Sequence, residues 1–320
     1  MSDAADALTR TASPDAVRVR APGKINVCLR VGPPRDDGYH TVASIYLAVS
    51  LYEEVTATRR PGGAITVSVG MDSGPGPTVP LDGSNLAVRA AAALQHACQV
   101  SAGAHLDVAK RVPVAGGMGG GSADAAAALV ACNALWGCGL DPMALSRLAA
   151  GLGADVPFAL LGGAAVGLGT GERLTPAATT GLFHWVLVPA PAGLSTPAVY
   201  RELDRMRAEA DTPADRRGPD ADEAVLGALR SGDPNALAPV LHNDMEPAAL
   251  ALAPALGDIL AIGRDRGALA GMISGSGPTV AFLSRDEDDA ARLAQTLTDD
   301  GPGAIAVHGP AAGTQLLSGP

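Results

Sequence analysis

The segment Pro113-Val-Ala-Gly-Gly-Met-Gly-Gly-Gly-Ser-Ala-Asp124 constrains this chain more than any other. Five of the six residues at 116–121 are glycine. An apolar alternation over 104–108 precedes the run and predicts a strand, and an Ala-rich stretch to Trp136 follows and predicts a buried helix opening near Ser122. Glycines let successive backbone N–H groups turn toward one anion, and a helix start adds unpaired N–H groups and the positive end of its dipole. A phosphate is the natural guest. No Gly-Lys-Ser/Thr ends the run, so it is not a Walker loop. The competing reading is a Gly/Ala seam that lets a helix pack tightly on a sheet.

Composition narrows the choice. The formal net charge of −10 over 320 residues excludes a generally basic, nucleic-acid-like surface, so phosphate recognition must rest on local backbone and a few cations. Cys28, Cys98, Cys132 and Cys138 form no C-x-x-C pair, which points to free thiols in a reducing cytoplasm rather than a zinc site. No apolar run reaches membrane-spanning length. The polar stretch 1–16 reads as a disordered tail rather than a signal peptide.

Ahead of the loop, alternation over 17–31, interrupted at Pro22-Gly23, puts Lys24 and Asn26 on one strand face, opposite Ile25 and Val27. There they can reach a ligand or line a solvent edge. Asp37-Gly-Tyr-His40 closes a turn, and strands over 41–51 and 53–58 follow. A helix over 86–98 takes Ser84 or Asn85 as its cap. Beyond the loop, Asp155 precedes Val156-Pro157 and suits the N-cap of a short helix. Beside a phosphate loop, a carboxylate is also the usual proton acceptor for an attacking hydroxyl. The second half offers a strand at 185–189, a helix over 198–209 carrying Tyr200, and a charged insertion at 211–222. Further helices follow, then a second Gly/Ser loop, Ser274-Gly-Ser-Gly-Pro278, leading into a strand. The mixture of antiparallel-type strands and helices fits α+β rather than a doubly wound sheet. A division into 17–180 and 181–316 follows.

Three segments in order, Pro22-Gly-Lys-Ile-Asn26, the loop from Pro113 and Ser274–Pro278, resemble the three motifs of the GHMP kinases. Asp37-Gly-Tyr-His40 and Gly153-Ala-Asp-Val-Pro157 resemble, within that superfamily, the branch acting on a cytidine diphosphate-linked methylerythritol. The resemblance implies a two-domain fold with the active site in the cleft and ATP with Mg²⁺ as cofactors. It also implies a small-molecule substrate, no nucleic-acid or membrane partner, and a monomer or homodimer. It assigns Lys24 and Asp155 to catalysis. It assigns Pro113, Val114, Ala115, Gly116, Gly117, Met118, Gly119, Gly120, Gly121, Ser122 and Ala123 to the nucleotide. Asn26, Tyr39 and His40 then hold the substrate, and Tyr200 stacks on its base. No protein ligand to the metal is assigned, Ser122 being the one candidate. Ala123 departs from the family, many of whose members carry a second serine there. The alternatives are a kinase for mevalonate, phosphomevalonate or homoserine, and a non-catalytic nucleotide-binding regulator.

Overall fold

The computed structural model describes residues 15–71, 79–190, 194–210, 219–299, 301 and 303–317. The expected tail at 1–16 and insertion at 211–222 therefore fall largely outside the described residues. The first half contains β1 (Ala16–Pro34), β2 (His40–Arg60), β3 (Ile65–Met71), α1 (Leu86–Ala97), β4 (Gly103–Lys110) and α2 (Gly120–Trp136). It continues with α3 (Pro142–Ala150), α4 (Val156–Leu161), β5 (Ala164–Gly169) and β6 (Arg173–Ala177). The second half contains β7 (Phe183–Val188), α5 (Thr196–Glu209), α6 (Glu223–Ser231), α7 (Pro234–Leu237), β8 (His242–Asn243) and α8 (Glu246–Leu252). Then come α9 (Ala255–Asp265), β9 (Ala270–Ile273), β10 (Val280–Ser284), α10 (Glu287–Asp299), β11 (Ile305–Gly309) and β12 (Gln315–Leu317).

Two sheets result. An eight-stranded mixed sheet runs β12-β1-β2-β4-β3, with β5 and β6 continuing from β2 and β8 lying parallel to β1. A four-stranded antiparallel sheet runs β11-β7-β10-β9. Two strands of the larger sheet, β8 and β12, come from the second half of the chain. The fold is α+β.

Pro22-Gly23 does not break the first strand. It is absorbed as a register shift in one 19-residue strand, facing a single 21-residue β2 where two strands were expected. A bulge of this kind bends the strand and re-aims the next side chain, here Lys24. Helix α2 is apolar almost all round, so it cannot sit at a surface, and Ala125, Ala126, Ala127, Ala128 and Leu129 are fully buried. Its small methyls let it approach both α1 and the sheet closely, so the packing-seam reading of the Ala run holds for the helix body. Asn85 caps α1 by accepting from Ala87 N, and Asp141 caps α3 by accepting from Ala144 N.

One apolar cluster joins the large sheet to α1 and α2, and another joins the small sheet to α5, α8, α9 and α10. A third spans both sheets, packing Ile25, Val27 and Leu47 with Trp185, Leu187 and Leu283. The middle of β1 and the glycine loop, through Val112 and Met118, are thus packed against the second half. Among the described residues no single helix is long and apolar enough to cross a membrane.

Candidate active site

The glycine loop connects β4 to α2. Gly117 (φ +75°) and Gly119 (φ +71°) occupy the left-handed region that side chains disfavour, so the loop doubles back before the helix begins. The helix starts at Gly120, two residues earlier than expected, so the glycines themselves form its first turn. A cavity of about 390 Å³ opens over it, lined by residues 113–121 of the loop together with Lys110, Asp124 and the Ser84–Leu86 start of α1. Met118 reaches the cavity wall while most of its side chain is buried in the core. Ala123 does not reach the cavity. Its N–H closes the first helical bond on Gly119 O, at 2.9 Å, and its methyl is fully buried.

Lys24 arrives from β1 beneath the loop. Its N–H bonds Met118 O at 3.0 Å, and its Nζ donates to Asn26 Oδ1 at 2.7 Å and to Gly117 O at 2.8 Å. Asn26 Nδ2 in turn donates to Ser44 Oγ at 2.7 Å, so the asparagine orients the ammonium rather than facing the cleft alone. Lys24 is only 7% exposed, and burial pulls its pKa below the ordinary lysine value, an effect that the charge of Asp155 partly offsets. Asp155 Oδ2 lies 3.8 Å from Nζ. The residue stands at the N-cap position of α4, yet its backbone is helical and its side chain makes no cap hydrogen bond. The carboxylate expected to cap the helix points at the lysine instead.

A second cavity of about 200 Å³ adjoins this pair. Lys24, Asn26, Asp155, Tyr46, Tyr200 and Ser276 are among its lining residues. Tyr200 is stacked on His40, with ring centroids 4.6 Å apart and planes inclined by 18°. His40 Nε2 lies 3.0 Å from Asp204 Oδ1, one helical turn beyond Tyr200 on α5. His40 thus acts on the cavity through Tyr200. Tyr39 does not enter the cleft. It precedes β2 in the turn, is 67% exposed, and is absent from the lining of either cavity.

The Gly/Ser loop of the second half completes the site. Thr279 N donates to Gly116 O at 3.3 Å, and Gly275 and Ser276 line the second cavity. Buried Asn243 pins this loop, donating from Nδ2 to Ile273 O and Gly275 O, each at 2.8 Å. Asn243, Tyr46, Asp204 and the buried Glu53–Lys110–Asp124 group escaped sequence reading. Each looks like an ordinary strand, turn or helix residue until distant segments meet.

Two family models match the chain: GHMP kinases N terminal domain over residues 85–163 and GHMP kinases C terminal over 225–303. A 4-diphosphocytidyl-2-C-methyl-D-erythritol kinase of Pseudarthrobacter chlorophenolicus is 56% identical over 311 residues, covering 94% of this chain and 95% of that protein. The chain belongs to this kinase family. The 4-diphosphocytidyl-2-C-methyl-D-erythritol kinase of Streptomyces coelicolor is 53% identical over 286 residues, covering 89% of this chain and 93% of its own. The crystal structure of a 4-(cytidine 5'-diphospho)-2C-methyl-D-erythritol kinase superposes with a TM-score of 0.74 at 31% identity, covering 92% of this chain and all of that one. A homoserine kinase from Cytophaga hutchinsonii (TM-score 0.72, 18% identity, 97% of this chain and 100% of that one) shares the fold alone. Within the 4-diphosphocytidyl-2-C-methyl-D-erythritol kinase family, the chain thus carries both GHMP units; residues of the first half alone line the glycine-loop cavity, and the second cavity joins Lys24 and Asp155 to Gly275 and Ser276 of the second half.

Proposed function

We propose that this chain transfers the γ-phosphoryl group of ATP to the 2-hydroxyl of 4-diphosphocytidyl-2-C-methyl-D-erythritol, giving the 2-phosphate and ADP, in the non-mevalonate route to isoprenoid precursors. The observation that carries the reading is the position of Lys24 and Asp155. They face each other at 3.8 Å in the lining of the second cavity, which shares Gly117 and Gly119 with the glycine-loop cavity. A donor phosphate seated on the loop and an acceptor hydroxyl in the second cavity would meet at this pair.

Each residue then has a physical task. The N–H groups of the loop and of the first turn of α2 hold the phosphates. Asp155 accepts the proton of the attacking hydroxyl. Lys24 has two of its three protons fixed by Asn26 and Gly117, which leaves the third for Asp155 or the transferring phosphoryl oxygens. Its charge offsets the negative charge gathering there. Tyr200 offers a ring for the cytosine, and His40 and Asp204 hold that ring in place.

Mg²⁺ fits as a companion of the nucleotide rather than as a resident ion. Among the described residues no group of three or more His, Cys, Asp or Glu side chains could hold it, and the loop presents N–H donors, which suit phosphate oxygens. Ser122 stands in the first turn of α2 and is absent from the lining of either cavity, so no protein ligand is assigned, and the ion, carried by the nucleotide, would offset charge on its phosphates. The buried or half-buried free thiols support a reducing, cytoplasmic setting. The test is Asp155→Asn and Lys24→Ala in a coupled ADP-release assay. Each should lower kcat by about 100-fold or more while nucleotide binding survives. Normal turnover by Asp155→Asn would remove the base assignment.

A further inference from the structure

Beneath the glycine loop lies a group of charges that the reaction above does not use. Glu53 comes from β2, Lys110 from the end of β4 and Asp124 from α2. Lys110 Nζ is 2.6 Å from Glu53 Oε1 and 2.8 Å from Asp124 Oδ2, and the three side chains are 0%, 3% and 6% exposed in the order Glu53, Lys110, Asp124. Arg111 N adds one hydrogen bond to Glu53 Oε2 at 2.9 Å. Bonding capacity is left over. Glu53 Oε1 meets the ammonium without an aligned hydrogen bond, and Asp124 Oδ1 has no partner among the described residues. Lys110 and Asp124 both line the nucleotide cavity. A Cβ on Gly120, the first residue of α2, would stand 3.0 Å from Glu53 Oε1 and 3.2 Å from Lys110 Nζ, so the group abuts the helix start directly.

Two carboxylates and one ammonium leave one excess negative charge, out of water, against the place that must receive a polyanion. Burial makes that charge costly in itself, and phosphates above it would raise the cost. A proton on either carboxyl removes both objections and gives the unpartnered oxygen an O–H to donate. We propose that Glu53, Lys110 and Asp124 are positioning residues of the donor site, holding the first turn of α2 against β2 and β4 with one proton kept between the two carboxyls. The inference rests on the reading of the loop as the ATP-binding element.

The electrostatics agree with the geometry. Burial, then the charge of Asp124, lifts the Glu53 carboxyl to about 7, against the opposing pull of Lys110. Burial also raises Asp124, with Lys110 opposing. Burial works against the charge of Lys110, but the two carboxylates outweigh it and its pKa rises. The ammonium therefore stays charged, and one carboxyl is the group that gains a proton. Among the described residues lining the cavity, the Ser84–Leu86 segment at the start of α1 and the loop contribute uncharged groups, and the Arg111 guanidinium reaches Glu54 at 2.6 Å.

As pH rises through about 7, the proton leaves and a net negative charge appears under the phosphates. Nucleotide affinity falls, while the acceptor cavity is untouched. The experiment follows KM for MgATP and KM for the cytidyl substrate between pH 6.5 and 8.5 in the wild type, Glu53→Gln and Asp124→Asn. The wild type should show KM for MgATP rising roughly tenfold across that range, with KM for the acceptor flat. Both variants, having one carboxylate for one ammonium, should lose the rise. Wild-type calorimetry with a non-hydrolysable ATP analogue, in buffers of different ionisation enthalpy, covers the case of a variant that does not fold. Net proton uptake near pH 7.5 is expected. A flat wild-type curve, the same curve in all three proteins, or binding without proton uptake overturns the triad. Absence of nucleotide binding altogether overturns the reading of the loop instead.

Discussion

Gly117→Ala tests whether the two loops of the cleft form one rigid unit. Gly117 sits at φ +75°, where an L side chain costs about 1–2 kcal/mol. Its new Cβ would press into Ser274 O and stand 3.0 Å from Gly277 O and 3.1 Å from Gly277 N. All three atoms are backbone, so no rotamer change relieves the contact. The 274–277 segment has to move, which strains the bond from Thr279 N to Gly116 O and the bonds from Asn243 Nδ2, each worth about 1 kcal/mol. The total is roughly 2–4 kcal/mol. Catalysis should suffer more than stability suggests, because Gly117 O also accepts from Lys24 Nζ at 2.8 Å. An ångström-scale shift of a reacting group costs about 100-fold. Steady-state kinetics and a thermal melt on the same preparation give both numbers. The expected result is kcat/KM down by about two orders of magnitude, with a midpoint several degrees lower. A variant with wild-type kcat/KM and midpoint would refute the coupling of the two loops through Gly117.

Gly227→Ala is the converse case. Gly227 lies within α6, and its Cβ would meet only Arg230 Nη2, at 3.9 Å, so alanine should stabilise by up to about 1 kcal/mol and raise the melting midpoint by about 2 °C without altering kcat. The stability of the wild type should also fall relative to Glu53→Gln as pH rises. The Glu53 carboxyl is raised from 4.5 to about 7 in the folded protein, so its contribution is fully present below the lower value and is lost as pH passes the upper one. Urea melts at pH 5.5 and 8 should show the difference shifting by roughly 1–3 kcal/mol in favour of the variant, and parallel curves would contradict the assignment.

How much of this was legible in the sequence depended on the range of the interaction. The glycine loop, the Ala-rich helix and the Asn85 cap follow from local rules, and local rules found them. The α+β class followed from element order. Pro22-Gly23 misled because a bulge is decided by the partner strand, here Val49 to Tyr52 of β2, not by the dipeptide itself. Asp155 obeyed the N-cap pattern in sequence and not in space, since Lys24 from 131 residues upstream competes for its carboxylate. Tyr39 and His40 looked equivalent as neighbours, but β2 begins between them. The histidine is inside, and the tyrosine is left on the turn. Glu53, Lys110 and Asp124 receive no role from the sequence, because nothing in their separate neighbourhoods announces that three segments will bury them together.

The central claim is that the Lys24–Asp155 pair brings a nucleotide on the glycine loop to a hydroxyl held beside Tyr200. Phosphorus NMR on the purified chain with MgATP and one acceptor at a time tests it most directly. With 4-diphosphocytidyl-2-C-methyl-D-erythritol, one new phosphomonoester on the 2-oxygen should appear for each ADP formed. With mevalonate or homoserine, neither should. Phosphorylation of mevalonate or homoserine in preference to the cytidyl substrate, or ADP without a phosphomonoester, would contradict the account.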